Sequence, residues 1–189
     1  LIGVDSQDMV SYDLDTGKST PIPGIVDFPA GFALMPNGLA ASCEAQGEQG
    51  RIRNLTSPGK AFEINTDGWT LDNVAASTDG RRLAYVARLK GNEYDPRAPE
   101  LHSVLICNVS TRRVVHTLQA HDDVVTGIAF SPSGKQLVTS SRDTTVKLWD
   151  VDEGELLWTY TGHSDSRVVA LDGKTVADAV ADALFSPGG

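Results

Sequence analysis

The sequence predicts an all-β chain built from about four copies of a four-stranded unit. Three observations predict it: a turn that recurs four times, a second marker that keeps the same rhythm, and polar–apolar alternation between them. The turn reads Met35-Pro36-Asn37-Gly38, Ser77-Thr78-Asp79-Gly80, Ser131-Pro132-Ser133-Gly134 and Ser186-Pro187-Gly188-Gly189, its last glycines 42, 54 and 55 residues apart. Each copy follows a short apolar run such as Phe32-Ala33-Leu34 or Ile128-Ala129-Phe130, and the first three precede another. Asn, Asp or Gly stands where a hairpin needs positive φ, so each copy predicts a pair of antiparallel strands. The second marker is Tyr12-Asp13, Arg53-Asn54, Cys107-Asn108 and Trp149-Asp150, at spacings of 41, 54 and 42. It closes a further strand in each unit, and Thr145-Val146-Lys147-Leu148 before the last copy alternates as a strand with two unlike faces does.

A unit of this length holding four short strands is the size of a β-propeller blade. The expected single domain, 1–189, therefore divides into a partial blade at about 1–23, full blades at about 24–66, 67–119 and 120–161, and a partial blade at 162–189. The first lacks its opening strand and the last stops after its first hairpin turn. Four blade-equivalents are fewer than most propellers hold, so the expectation is part of a larger ring. Two stretches exceed the rhythm by about a dozen residues each: 89–102, between the second and third strands of the third blade, and 164–177, in the last. Within the second, Thr175 to Asp182 fits either helical turns or an alternating strand. Antiparallel strands place both insertions on one face of the ring.

Composition sets the function class. A chain of 189 residues with 40% hydrophobic side chains can bury a core. Its formal net charge of -9 repels phosphate backbones and anionic lipid, so nucleic acid and membrane are not expected partners. No apolar run approaches the roughly 18 residues of a membrane span, and Leu1-Ile2-Gly3-Val4-Asp5 is not a signal peptide. A cytoplasmic location is the default, and the missing initiator Met suggests an excerpt of a longer chain. Cys43 and Cys107, in short apolar segments, read as small buried hydrophobes rather than a disulfide framework.

The stretch from Ala120-His121-Asp122-Asp123 through Gly127-Ile128-Ala129-Phe130-Ser131-Pro132-Ser133-Gly134, Leu137-Val138-Thr139-Ser140-Ser141-Arg142-Asp143 and Val146-Lys147-Leu148-Trp149-Asp150 resembles a complete WD repeat. Gly162-His163 after it is similar to the opening of the next. The earlier blades keep only the carboxylate or amide of the closing pair, and phrases such as Asp79-Gly80-Arg81-Arg82-Leu83-Ala84-Tyr85 equally resemble periplasmic Tol-type and prolyl-peptidase propellers. The resemblance implies a structural tetrad of His121, Thr139, Asp143 and Trp149 joined by buried hydrogen bonds. It also implies a non-enzymatic scaffold that binds other proteins, with neither cofactor nor metal. Loop position makes Leu89, Tyr94, Arg97, Leu101 and Arg142 the partner-binding candidates, since they combine aromatic, cationic and apolar character. The alternatives are a lactonase- or peptidase-like propeller enzyme and a periplasmic assembly module of the Tol type.

Patterns pointing to catalysis fail on their chemistry. Gly17-Lys18-Ser19 and Gly173-Lys174-Thr175 imitate the end of a phosphate loop, but Tyr12 and Val168 stand where its first glycine belongs. His121 beside Asp122 and Asp123 falls short of the three or four convergent ligands of a metal site. No Gly-x-Ser-x-Gly elbow occurs.

Overall fold

A computed structural model describes residues 2–5, 8–12, 15–21, 29–44, 49–54, 62–66, 68–89, 101–161, 168–169 and 175–176. Among them a single 3-10 turn, Pro36–Gly38, interrupts an otherwise all-β chain. β1 (Ile2–Asp5), β2 (Asp8–Tyr12) and β3 (Ser19–Pro21) form a three-stranded antiparallel sheet. The second sheet holds β4 (Pro29–Leu34), β5 (Leu39–Glu44), β6 (Gln49–Asn54) and β7 (Phe62–Asn65). The third holds β8 (Thr70–Ala76), β9 (Arg82–Leu89), β10 (Leu101–Asn108) and β11 (Arg113–His121). The fourth holds β12 (Val125–Phe130), β13 (Gln136–Ser141), β14 (Val146–Asp150) and β15 (Leu156–Tyr160). In these three four-stranded sheets every strand pairs antiparallel with its neighbour in sequence, the meander of a propeller blade. β16 (Val168–Val169) and β17 (Thr175–Val176) form a separate short pair, so Thr175 and Val176 take the strand alternative. The Ser186–Gly189 turn and the Gly162-His163 pair lie outside the described residues.

Local chemistry explains why the two markers recur. In the turn between the first two strands, the N–H of Met35, Ser77 and Ser131 donates to the carbonyl of Leu39, Arg82 and Gln136 at 2.8, 3.0 and 2.9 Å. The reversal needs a left-handed residue, which Gly38, Gly80 and Gly134 supply with φ of 71°, 68° and 71°. The Ser77 and Ser131 hydroxyls accept the N–H of Arg82 and Gln136 at 2.9 and 3.1 Å. In the turn between third and fourth strands, Asn108 Oδ1 accepts the Thr111 N–H at 3.0 Å. Asp150 Oδ1 accepts those of Asp152 and Glu153 at 2.9 and 3.0 Å. A short side-chain acceptor is what this position requires, so it persists where the preceding Trp does not.

The third sheet is covered on both faces, and the alternation along β9 assigns them. Leu83, Tyr85 and Ala87, with Leu105 and Cys107 of β10, pack against Ala41, Cys43, Ile52 and Ile64 of the second sheet. Ala84 and Val86, with Val104, Ile106, Leu118 and Ala120, pack against Val125, Ile128, Leu137 and Trp149 of the fourth. Burial on both faces accounts for the continuous apolar run in β9 and β10, which a one-sided strand would break with polar residues. Each fully buried Leu or Val here contributes roughly 1.5–3 kcal/mol.

The strands beside the first insertion are longer than the sequence suggested. Leu89 is the last residue of β9 and pairs with Leu101, and Arg88 pairs with His102. The extra connection therefore runs over residues 90–100 rather than 89–102, because strand pairing continues to the apolar residues at its base.

Candidate functional site

The four residues of the sequence-derived tetrad meet between the third and fourth sheets. His121 ends β11, Thr139 lies mid-β13, Asp143 sits in the β13–β14 turn, and Trp149 is on β14. The Trp149 indole Nε1–H donates to Thr139 Oγ1 at 3.0 Å. Thr139 Oγ1 lies 2.7 Å from His121 Nε2, and His121 Nδ1 lies 2.8 Å from Asp143 Oδ2. An indole can only donate and a carboxylate only accept, so with a neutral imidazole every proton between them is fixed. The His121 Nδ1–H goes to Asp143, and Nε2 accepts the Thr139 O–H. All four polar groups are satisfied with a neutral imidazole, in a site where Thr139 is 0% and Trp149 5% exposed.

Burial holds the His121 pKa below its ordinary 6.5, against the opposing pull of the Asp143 carboxylate. Partial burial raises the Asp143 pKa, but hydrogen bonds from the Thr145 hydroxyl and N–H and the neighbouring His121 outweigh it and hold the carboxyl below 3.8. Thr145 was not singled out in the sequence. Its N–H and hydroxyl bond Asp143 Oδ1 at 2.9 and 2.7 Å, and its hydroxyl lies 3.0 Å from His121 Nδ1. The signal available was an Asp two residues before a Thr in a turn. Asp143 Oδ2 also accepts the Asp122 N–H at 3.1 Å, which ties the β11–β12 connection to the β13–β14 turn. Lys147 adds a bond from Nζ to the Ala120 carbonyl at 2.6 Å.

The partner-binding candidates divide. Arg142 is exposed in the β13–β14 turn, its N–H donating to the Val124 carbonyl at 3.0 Å. Leu89 is half-buried at the end of β9, across from the Leu101 backbone. Tyr94 and Arg97 lie outside the described residues. The paired strand ends at Leu89 and Leu101, the turn carrying Arg142 and the β11–β12 connection all lie at the same end of the third and fourth sheets. At the opposite end the inner hairpin turns abut, with the Thr78 hydroxyl donating to the Pro132 carbonyl at 2.8 Å. There too His116 Nε2 lies 2.9 Å from the Asp152 carbonyl, a contact with no counterpart in the sequence reading.

The two cysteines are not activated as nucleophiles. Burial pushes the thiols of Cys43 and Cys107 up to about 12, the state of inert core cysteines. Among the described residues no three His, Cys, Asp or Glu side chains converge as metal ligands. Gly17, at φ 66°, lies in the turn between β2 and β3. No helix among the described residues is long and apolar enough to cross a membrane.

Four-stranded antiparallel meanders, with a His–Thr–Trp chain between two of them, are consistent with the blades of a WD-type propeller. Residues 112–150 match the family described as WD domain, G-beta repeat, so this stretch carries a WD repeat. The chain is 40% identical over 70 residues, 36% of this chain, to the transcriptional corepressor LEUNIG_HOMOLOG of Arabidopsis thaliana, of which the match covers 9%. It is 26% identical over 136 residues, 72% of this chain, to the COMPASS component SWD3 of Saccharomyces cerevisiae, covering 42% of that protein. To the nuclear distribution protein nudF of Aspergillus terreus it is 46% identical over 48 residues, 25% of this chain and 11% of nudF. The chain thus spans less than half the length of these relatives.

Proposed function

We propose that this chain is a non-enzymatic protein-interaction scaffold that presents its partner-binding residues at one end of the blades. The observation that carries the reading is the shared end itself. The paired strand ends at Leu89 and Leu101 and the Arg142 turn lie at the end where a buried hydrogen-bond chain joins the fourth blade to the third. Residues fixed in this way lose little conformational entropy when a partner docks. Leu89, Tyr94, Arg97, Leu101 and Arg142 are the contact residues on this reading, and His121, Thr139, Asp143 and Trp149 are the support beneath them.

The same reading takes 1–189 as one propeller domain, with blades at about 1–23, 24–66, 67–119, 120–161 and 162–189, contributing about four blade-equivalents to a larger ring. The net charge of -9 argues for protein rather than nucleic acid as the partner. Location is open between the cytoplasmic default and the nucleus, to which the printed role of one relative as a transcriptional corepressor points. No described side-chain cluster or relative supports the enzymatic alternative.

The test is affinity capture with the full chain against a variant whose residues 90–100 are replaced by a short turn, folding being checked by circular dichroism. A defined set of proteins lost with the connection supports the scaffold reading. An unchanged set from a folded variant contradicts it.

A further inference from the structure

The third and fourth blades align without a gap over 68–88 and 122–142, 54 positions apart throughout. Their pairings coincide. Leu71 faces Ala87 and Asn73 faces Val86, as Val125 faces Ser141 and Gly127 faces Ser140. Asp72 and Thr126 are each the extra residue of a bulge at the same place in the innermost strand. In the third blade Arg88 clamps Asp72 with a parallel pair of bonds, Nη2 to Oδ1 at 2.9 Å and Nε to Oδ2. Such a fork is the geometry in which a guanidinium recognises a carboxylate best.

The fourth blade keeps the guanidinium and lacks the carboxylate. Arg142 stands at the position of Arg88, and Thr126 at that of Asp72, its hydroxyl 3.4 Å from Ser140 Oγ. Among the described residues Arg142 is exposed and has no ion-pair partner. The carboxylates beside it are otherwise engaged: Asp143 by Thr145, His121 and the Asp122 N–H, and Asp123 Oδ1 by the Val124 N–H at 2.6 Å.

We infer that Arg142, with the Thr126 hydroxyl, receives an Asp or Glu side chain from a protein partner, seated beside Thr126, which stands where Asp72 does in the third blade. The inference rests on the scaffold reading and adds the chemistry of recognition. Asp122 and Asp123 are exposed on the adjoining connection, so the fitting segment carries Lys or Arg next to its carboxylate. A run of carboxylates alone would be repelled by the same two residues.

The probe is the capped pentapeptide acetyl-Gly-Lys-Glu-Lys-Gly-amide, compared with its Gln counterpart by NMR titration of the full chain at low salt. Wild type is expected to prefer the Glu peptide by about ten-fold or more, roughly 1.4 kcal/mol. Arg142→Ala removes the fork and Thr126→Asp supplies an internal carboxylate that occupies it. Both are expected to abolish the preference with thermal unfolding unchanged. Equal affinity of wild type for the two peptides, or a preference that survives Arg142→Ala, overturns the site. The scaffold reading is judged separately: partners lost on trimming 90–100 but kept by Arg142→Ala leave it standing without this receptor.

Discussion

Tyr85 and Thr139 stand at the same position of consecutive blades, each 0% exposed and each facing the preceding sheet, yet they build two different joints. Thr139 links His121 to Trp149. Tyr85 instead fills the space with its ring, against Cys43 and Cys107, and its buried hydroxyl has no partner among the described residues. One joint is centred on a polar chain and the other on a packed aromatic ring.

That difference predicts opposite outcomes for two ordinary substitutions. Tyr85→Phe deletes an unpaired buried hydroxyl and should raise the unfolding free energy by roughly 1 kcal/mol in urea titrations. A loss of similar size would mean that the hydroxyl is bonded. Gly50→Ala should destabilise by about 1–3 kcal/mol, because its Cβ would lie 2.6 Å from the Tyr85 hydroxyl.

At the other joint, Thr139→Ala strands the His121 Nε2 and the Trp149 N–H in a dry site. A loss of about 2 kcal/mol or more is expected, since each orphaned group costs roughly 1–3 kcal/mol. Thr139→Ser keeps the hydroxyl and should lie within about 1.5 kcal/mol of wild type. Equal losses from the two would show that the methyl, and not the hydrogen bonds, matters.

The tetrad also predicts a pH dependence. The folded His121 pKa lies below 6.5, so the unfolded chain takes up the proton first as pH falls. The stability His121 contributes is fully present above about pH 6.5 and is lost as pH falls through the folded value. Denaturation midpoints from pH 8 to 5 should therefore decline more steeply in wild type than in His121→Gln. Parallel profiles would contradict a neutral buried imidazole.

Gly154 and Arg112 hold equivalent left-handed positions, with φ of 71° and 58°, in the turns that close the fourth and third blades. Gly154→Ala should cost about 2 kcal/mol, combining an unfavourable φ with a Cβ 2.6 Å from His116 Nδ1. Arg112→Gly relieves the same backbone strain but gives up the guanidinium stacked 3.9 Å over Phe62, so a change within about 1 kcal/mol is expected by thermal unfolding.

Much of this was legible in the sequence, because turns and hydrogen-bonded polar residues carry local signatures. The Gly38, Gly80 and Gly134 turns are demanded by backbone conformation, and the His121 to Trp149 chain was implied by the resemblance of its stretch to a WD repeat. What escaped depends on neighbours distant in the chain. The Arg88–Asp72 pair, the role of Tyr85 and the His116–Asp152 contact arise from register and from blades meeting, which no short pattern encodes. The strand ends at Leu89 and Leu101 were missed for the same reason, since pairing across a long connection has no local mark.

The most direct test of the account is hydrogen–deuterium exchange on the full chain, free and bound to a partner captured by it. Protection of the 88–102 and 139–145 segments on binding is predicted, with the inner turns at 77–82 and 131–136 unchanged. Protection confined to those turns and to 108–113 and 150–155 would place the partner at the opposite end and contradict the account.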